Sequence, residues 1–108
     1  MILFAREKPI VTAKNLGEAT VKAKAVFFRG QEELSRGDNI ISGNLWEIDT
    51  RLTPKLDKHF GYNLNDQSGS YFHRRILEVT TLNGEKKTAW VYLVNDNLKL
   101  DPIHKLTS

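Results

Sequence analysis

The sequence predicts a small, mostly β domain with one short helix between its strands. Three local patterns support this class: a segment at 20–29 that alternates apolar and charged residues, a well-delimited helix at 52–61, and a strand–turn–strand pattern at 74–94. A chain of 108 residues has the size of one domain, so we expect a single domain over residues 1–108. The order of elements fits either a small α+β barrel or a compact all-β barrel.

The first part of the chain is predicted to hold two strands. Residues 2–5 are apolar and suit a short first strand, whereas residues 6–19 contain proline, glycine, asparagine and several charges, and are expected to form a loop. Residues 20–29 are predicted as the second strand, because apolar residues alternate there with Lys22 and Lys24. The following glycine is expected to end this strand.

A polar connection and a third strand are predicted next. Residues 31–39 are polar, and Gly37-Asp38-Asn39 has the composition of a turn. Residues 40–49 supply the apolar bulk of a strand, and Gly43 within it indicates a bulge or a close approach of another backbone.

The helix at 52–61 carries signals at both ends. Thr53 is expected to accept a hydrogen bond from an early helical N–H, and Pro54 suits the first helical position because its missing donor costs nothing there. Leu56 and Phe60 share one face of this helix, and Gly61 is expected to end it in a left-handed conformation.

The sequence from residue 62 onward predicts a loop, a hairpin and a tail. Residues 62–70 are polar and are expected to form either a mobile rim of a site or a plain connector. The segments 74–82 and 85–94 are rich in strand formers, and Asn83-Gly84 between them predicts a two-residue type I′ turn. Both faces of the second segment are apolar, which indicates a strand central in its sheet. We expect flexibility in the tail at 97–108.

Composition excludes several classes of site. Cysteine is absent, so disulfides, thiolate metal sites and cysteine nucleophiles are ruled out. The histidines, His59, His73 and His104, lack the spacing of metal ligands, and we expect neither a metal nor a cofactor. No apolar run approaches the roughly 18 residues of a membrane helix, and the N-terminal residues lack the features of a secretory signal. We therefore expect a cytoplasmic protein without a membrane partner.

The charge balance keeps a nucleic-acid partner open. The formal net charge is +3 and the isoelectric point is about 9.3, which meets the first criterion for nucleic-acid binding. The segment Tyr71–Arg75 mixes aromatic and cationic residues as single-strand binders do, and Lys22, Lys24 and Arg29 would extend a basic groove. The alternative is a solvated, slightly basic surface with Phe72 in the core.

Four segments in order resemble the gamma-glutamylcyclotransferase-like family, also called AIG2-like. Gly43–Asp49 resembles the family's G-x-[LV]-[YW]-x-[IVL]-[DS] strand, and Leu56–Tyr62 resembles its L-D-x-x-E-G-x helix end. Phe72–Val79 resembles the Y-x-R-x-x-V-x-V strand, and Ala89–Tyr92 resembles the A-[WL]-x-Y strand that follows. The resemblance, over roughly residues 16–94, implies a small mixed β-barrel of the α+β class with one or two short helices.

The resemblance also implies a chemistry that this sequence lacks in part. In active members a glutamate at the fifth position of the helix-end motif acts as acid and base while the substrate amine attacks its own γ-carbonyl and releases 5-oxoproline. Phe60 stands at that position here. Backbone N–H groups of an N-terminal Y-G-[ST]-L loop bind the substrate carboxylate in the family, and this motif is also missing. We therefore expect no cyclotransferase activity.

Candidate site residues follow from the same comparison. The ligand pocket is predicted to consist of Phe60, Gly61, Tyr62, Tyr71, Phe72 and Arg74. If catalysis persists, the candidates for a relocated acid and base are His59, Glu47 and Glu78, because each is titratable and lies in or beside one of the matched segments. No residue is predicted to ligate a metal.

Three functions remain open from the sequence. The first is a pseudoenzyme that acts as an accessory factor and binds a small ligand or a protein partner; a phage or mobile-element origin is an expectation for a short chain of this type. The second is an active cyclotransferase with a relocated acid and base, and the third is a basic nucleic-acid-binding β-barrel. The oligomeric state is expected to be a monomer or a homodimer.

Overall fold

The computed structural model describes residues 1–96, which form a closed barrel of five strands and one helix. The elements are β1 (Ile2–Ala5), β2 (Lys14–Phe28), β3 (Gln31–Glu47), α1 (Thr53–Phe60), β4 (Phe72–Thr81) and β5 (Lys86–Val94). The barrel order is β1–β3–β2–β4–β5, and β5 closes in parallel onto β1 while the other neighbours are antiparallel. The predicted small mixed α+β barrel is confirmed. The tail at 97–108, where we expected flexibility, lies outside the described residues.

Two apolar cores lie on opposite faces of the barrel wall. The interior is filled by Phe4 and by small or branched side chains, namely Ala19, Val21, Ala23, Leu34, Leu45, Val79, Ala89, Val91 and Leu93. The outer core lies between the wall and α1, and contains Leu3, Val11, Trp46, Ile48, Leu56, Tyr62, Phe72, Tyr92 and Val94. Both faces of β5 are apolar because one face points into the interior and the other is covered by α1.

The hairpin of β2 and β3 differs from the prediction. β2 begins at Lys14, within the expected loop, and β3 begins at Gln31, within the expected connection. The turn is formed by Arg29 and Gly30, which both have positive φ (54° and 82°) as a two-residue type I′ turn requires. The prediction of a turn at Gly37-Asp38-Asn39 was wrong.

The glycine at position 37 belongs instead to a bulge in β3. Ala23 pairs with Asn39 and the next residue, Lys24, pairs with Ser35, so three residues of β3 are left over. A Cβ on Gly37 would lie 2.4 Å from the Cβ of Lys24, which explains why a residue without a side chain is needed. Turn composition and bulge composition are alike at this position, and only the pairing distinguishes them.

Helix α1 ends as predicted but begins differently. Gly61 follows it with φ 68°, and the N–H of Tyr62 donates to the carbonyl of Asp57 at 2.8 Å, as in a Schellman motif. Thr53 is not a cap: it is the first residue of α1, and its hydroxyl lies 3.2 Å from the sulfur of Met1. A 3₁₀ turn at Thr50–Leu52 directly precedes α1.

The β4–β5 hairpin is present, but its turn is longer than predicted. The N–H of Thr81 donates to the carbonyl of Glu85 at 2.8 Å, so the connection has three residues, Leu82–Gly84. Gly84 has φ 89°, whereas Asn83 does not have the positive φ that a type I′ turn needs. A type I turn followed by a left-handed glycine explains both facts, because it tolerates Asn83 in a right-handed conformation.

The segment 62–70 is a loop, as predicted, and it is tied down by hydrogen bonds. The Ser70 hydroxyl accepts from the N–H of Asn63 and donates to the carbonyl of Asp66, both at 2.8 Å. The Asn95 side-chain amide donates to the carbonyl of Ser70 at 2.8 Å. These bonds favour a connector over a mobile rim. Within residues 1–96, no helix has the length and apolarity to cross a membrane.

Candidate functional site

A cleft of about 1130 Å³ opens at one end of the barrel. Its walls come from the end of β1 and the segment after it, the tip of the β2–β3 hairpin, the end of α1 and the start of β4. The lining includes Phe4, Arg6, Glu7, Lys8, Arg29, Gln31, Glu32, Glu33, Leu34, Lys58, His59, Phe60, Gly61, Tyr71, Phe72 and Tyr92. The cleft therefore combines an aromatic floor with charged groups of both signs at its rim.

The aromatic floor is centred on Phe60. Its ring stacks on Tyr92, with centroids 4.1 Å apart and planes 13° apart, and it meets Phe72 edge-on at 5.3 Å. Phe28, from the β2–β3 hairpin, packs on Phe72 at 5.7 Å. The position that matches the family's catalytic glutamate is thus filled by a ring held in an aromatic stack. A phenyl group has no proton to exchange, so this position supplies no acid or base.

Behind the aromatic floor, Asp57, Arg74 and Tyr92 form a clamp between α1 and the β4–β5 hairpin. All three lie in the segments that resemble the family motifs. The Tyr92 hydroxyl donates to Asp57 Oδ1 at 2.6 Å, and Arg74 donates to the same carboxylate from Nε at 3.0 Å and from Nη2 at 3.3 Å. The Arg74 guanidinium also lies over the ring of Trp90 at 4.5 Å. Burial, followed by the hydrogen bond to Asp57, raises the pKa of the Tyr92 phenol. These residues hold the helix end in place, and the phenol stays protonated.

A half-buried carboxyl that the sequence did not single out lies across the cleft. Glu33, on β3, lines the cleft, and burial followed by the charge of nearby Glu7 raises its pKa. Its neighbour Glu32 is engaged by Arg6 at 2.5 Å. Within residues 1–96, Glu33 has no ion-pair partner. The sequence signal for Glu33 was its position three residues after the Arg29-Gly30 turn. This signal was not recognised, because residues 31–39 were predicted to form a polar connection and not a strand.

The predicted acid and base candidates are scattered. His59 lines the cleft but is exposed on α1, beside the ring of Phe60. Glu47 is exposed at the end of β3, in a shallow groove outside this cleft. Glu78 is exposed on β4, where its carboxylate lies 3.6 Å from the ammonium of Lys86. The structure does not bring these three residues together.

The predicted pocket residues divide into two groups. Phe60, Gly61, Tyr71 and Phe72 line the cleft. Tyr62 is buried in the outer core, and Arg74 is held in the clamp, so neither belongs to the lining. Gly61 matters through its small size, because a Cβ there would lie 2.8 Å from Cδ2 of Tyr71.

The cations proposed for a nucleic-acid groove are partly engaged within the protein. Arg29 lies over the ring of Tyr71 at 4.3 Å, and Arg74 is ion-paired with Asp57. Arg75 Nη2 lies 3.0 Å from Nδ1 of His73. Lys22 and Lys24 are exposed on β2. The aromatic and cationic residues of Tyr71–Arg75 therefore serve internal contacts.

Comparisons with known proteins agree with this architecture. The family model described as gamma-glutamyl cyclotransferase, AIG2-like, matches residues 5–107. The structure is similar to that of YkqA from Bacillus subtilis, with a TM-score of 0.64 and 22% identity over 87% of this chain. The chain spans only 35% of the length of YkqA.

A second solved structure extends the likeness of fold. The uncharacterised protein PH0828 from Pyrococcus horikoshii is similar with a TM-score of 0.55 and 15% identity, over 98% of this chain and 93% of its own. A search of curated proteins gave no match. Because the family model covers nearly the whole sequence, the chain belongs to the gamma-glutamyl cyclotransferase, AIG2-like family.

Proposed function

We propose that this family member uses its cleft to bind a ligand or partner and does not carry out cyclotransferase chemistry. The observation that carries the proposal is the place of Phe60, whose ring is stacked on Tyr92 where the family has its acid and base. General acid–base catalysis contributes typically about 10²–10⁴-fold to a rate, so a phenyl ring at this position removes a main source of rate enhancement.

The segment after β1 supports the same proposal. In active members this region exposes backbone N–H groups to the substrate carboxylate, whereas here Ala5 is followed by the charged residues Arg6, Glu7 and Lys8. Arg6 is held by Glu32, and the carboxylate of Glu7 faces the cleft side that also holds Glu33. The segment that stands in place of the family's N-terminal loop thus offers charged side chains of both signs to the cleft and contains no glycine.

The proposal is tested by product formation. The purified protein is incubated with γ-glutamyl amino acids and γ-glutamyl amines, and 5-oxoproline is measured by mass spectrometry. We expect release at the protein-free rate for every substrate. Release that exceeds this rate and is lost in a cleft variant would overturn the proposal.

A second candidate function rests on Glu33. A carboxyl with a raised pKa in the cleft has the property required of a relocated acid and base, since its proton is exchanged nearer to neutral pH. If the chain is an active cyclotransferase, Glu33→Gln abolishes 5-oxoproline release and Glu78→Gln leaves it unchanged. His59→Ala and Glu47→Gln complete the test, because these residues and Glu78 were the candidates from the sequence.

We further expect a protein or small-molecule partner, a monomer or homodimer, a cytoplasmic location, and an accessory role in a phage or mobile element. The nucleic-acid alternative is tested by oligonucleotide binding at two salt concentrations, because phosphate contacts make affinity fall as salt rises. We expect no salt-dependent binding.

A further inference from the structure

Among residues 1–96, nothing pairs with one edge of β3 beside the cleft. β3 has 17 residues, and β2 covers one of its edges along almost the whole length. On the other edge, β1 pairs only with Asn44–Glu47. Within residues 1–96, no strand pairs with the stretch Gln31–Gly43 along this edge. Alternate backbone N–H and C=O groups of that stretch therefore point away from β2 without a strand partner.

The cleft lies where the missing neighbour would be. After Ala5 the chain leaves β3, and the following segment Arg6–Ile10 lines the cleft opposite Gln31–Leu34. The ion pair of Arg6 with Glu32 spans this gap at 2.5 Å. The volume of about 1130 Å³ leaves room beside this edge for a bound segment of chain.

The side chains at this edge define the chemistry of an occupant. Glu33 pairs with Val26, and Gln31 pairs with Phe28, so these four side chains share one face of the hairpin. Val26 and Phe28 pack against the outer core, to which Phe60 and Phe72 also belong. A half-buried carboxylate that has no ion-pair partner in the described part of the chain therefore lies next to aromatic surface, on the face that lines the cleft.

We propose that the cleft binds an extended peptide as an added strand on the open edge of β3. A lysine or arginine of the peptide lies opposite Glu33, and an apolar side chain two residues away lies against the aromatic floor. The proposal rests on the proposed binding function and specifies its partner. Backbone hydrogen bonds to the edge supply affinity, and the two side chains supply specificity, as in other cases of strand addition.

A short peptide fits the edge better than a second copy of the chain. The bulge after Ser35 interrupts β3, so the regular part of the open edge has five residues, Gln31–Ser35. Arg36, at the start of the bulge, is ion-paired with Asp96 at 3.3 Å. Bulges and charged side chains are the usual protection of an edge against pairing with another sheet edge. A peptide with a cation also neutralises Glu33, which a second β3 edge rich in glutamate does not.

The test uses one peptide and two methylated forms of it. The probe is the capped peptide acetyl-Thr-Lys-Thr-Phe-Thr-amide, and binding is followed by titration calorimetry on the whole chain. In an added strand, the N–H groups of Lys and Phe point to one side and those of the threonines to the other. One methylated form carries N-methyl groups on Lys and Phe, and the other carries them on the threonines. We expect one of these forms to bind at least tenfold more weakly than the parent peptide and the other to differ from it less than threefold. Equal effects, or no binding of the parent peptide, would overturn the proposal.

Two further measurements fix the partner chemistry. Replacing the peptide's lysine with glutamate is expected to lower affinity at least fivefold, and Glu33→Gln is expected to remove this preference, whereas Glu78→Gln retains it. A preference that survives in Glu33→Gln contradicts the assignment. A dimer in sedimentation that the peptide does not dissociate also contradicts it, because a second copy would then hold the edge. Release of 5-oxoproline refutes the proposed function separately, since it is read from product rather than from peptide binding.

Discussion

Replacing Asp57 with alanine tests whether the clamp holds α1 to the barrel. The change removes the acceptor of three hydrogen bonds, from Tyr92 at 2.6 Å and from Arg74 at 3.0 and 3.3 Å, and leaves the guanidinium without its ion pair. Loss of one partner of a buried pair costs about 3–5 kcal/mol. The side chains of Arg74 and Asp57 keep 16% and 19% of their surface exposed, so water recovers part of this cost. We expect a loss of about 3 kcal/mol in the free energy of unfolding.

Urea and thermal denaturation followed by circular dichroism measure the effect. A loss of about 3 kcal/mol lowers the Tm of a domain of this size by roughly 12–24 °C. The matched control is Glu78→Gln, which breaks an exposed pair and is expected to cost less than about 1 kcal/mol. A double-mutant cycle of Asp57→Asn with Tyr92→Phe is expected to give a coupling of about 1 kcal/mol. An Asp57→Ala loss no larger than the control's would refute the clamp.

Three further changes test the core, the helix end and the cleft. Leu56→Ala deletes a fully buried side chain and is expected to cost about 2–5 kcal/mol by denaturation; a loss below 1 kcal/mol would contradict the outer core. Gly61→Ala, at φ 68° and with a Cβ 2.8 Å from Tyr71, is expected to cost about 1–2 kcal/mol or more, and an unchanged Tm would disprove the left-handed cap. Because the pKa of Glu33 is raised, native protein binds its proton more tightly, and stability from this group is lost as pH rises. Glu33→Gln is therefore expected to have a higher Tm than wild type at pH 7 and the same Tm at about pH 3.5, which is below the ordinary glutamate pKa. A Tm below that of wild type at pH 7 would contradict the burial of Glu33.

The strands and the helix were predictable where local residue composition and the strand pairing of the barrel favour the same structure. The helix end at Gly61 and the strand character of 74–94 depend on local residue types, and both are present. The turns were less predictable. Arg29-Gly30 forms the type I′ turn although arginine rarely has positive φ, whereas Asn83-Gly84, the preferred pair, lies in a longer connection. Strand register, set by the packing of the whole barrel, decided both cases.

The residues of the candidate site were also predictable only in part. Sequence motifs placed Phe60 and Phe72 at the cleft, because the matched segments carry them there. Arg74 was expected at the pocket and instead binds Asp57, since a motif shows that a residue is required but not what it contacts. Glu33 was missed because its strand begins at Gln31, inside a polar segment that local composition assigned to a turn.

A single-turnover experiment shows whether the cleft binds its ligand without cyclotransferase chemistry. The protein is held in excess over a γ-glutamyl amine, and 5-oxoproline is followed by mass spectrometry beside a protein-free sample and Glu33→Gln. Excess protein removes product release and weak turnover as explanations for a low signal. We expect the same slow rate in all three samples. Faster release by the wild type that Glu33→Gln abolishes would contradict this expectation and identify Glu33 as the acid and base.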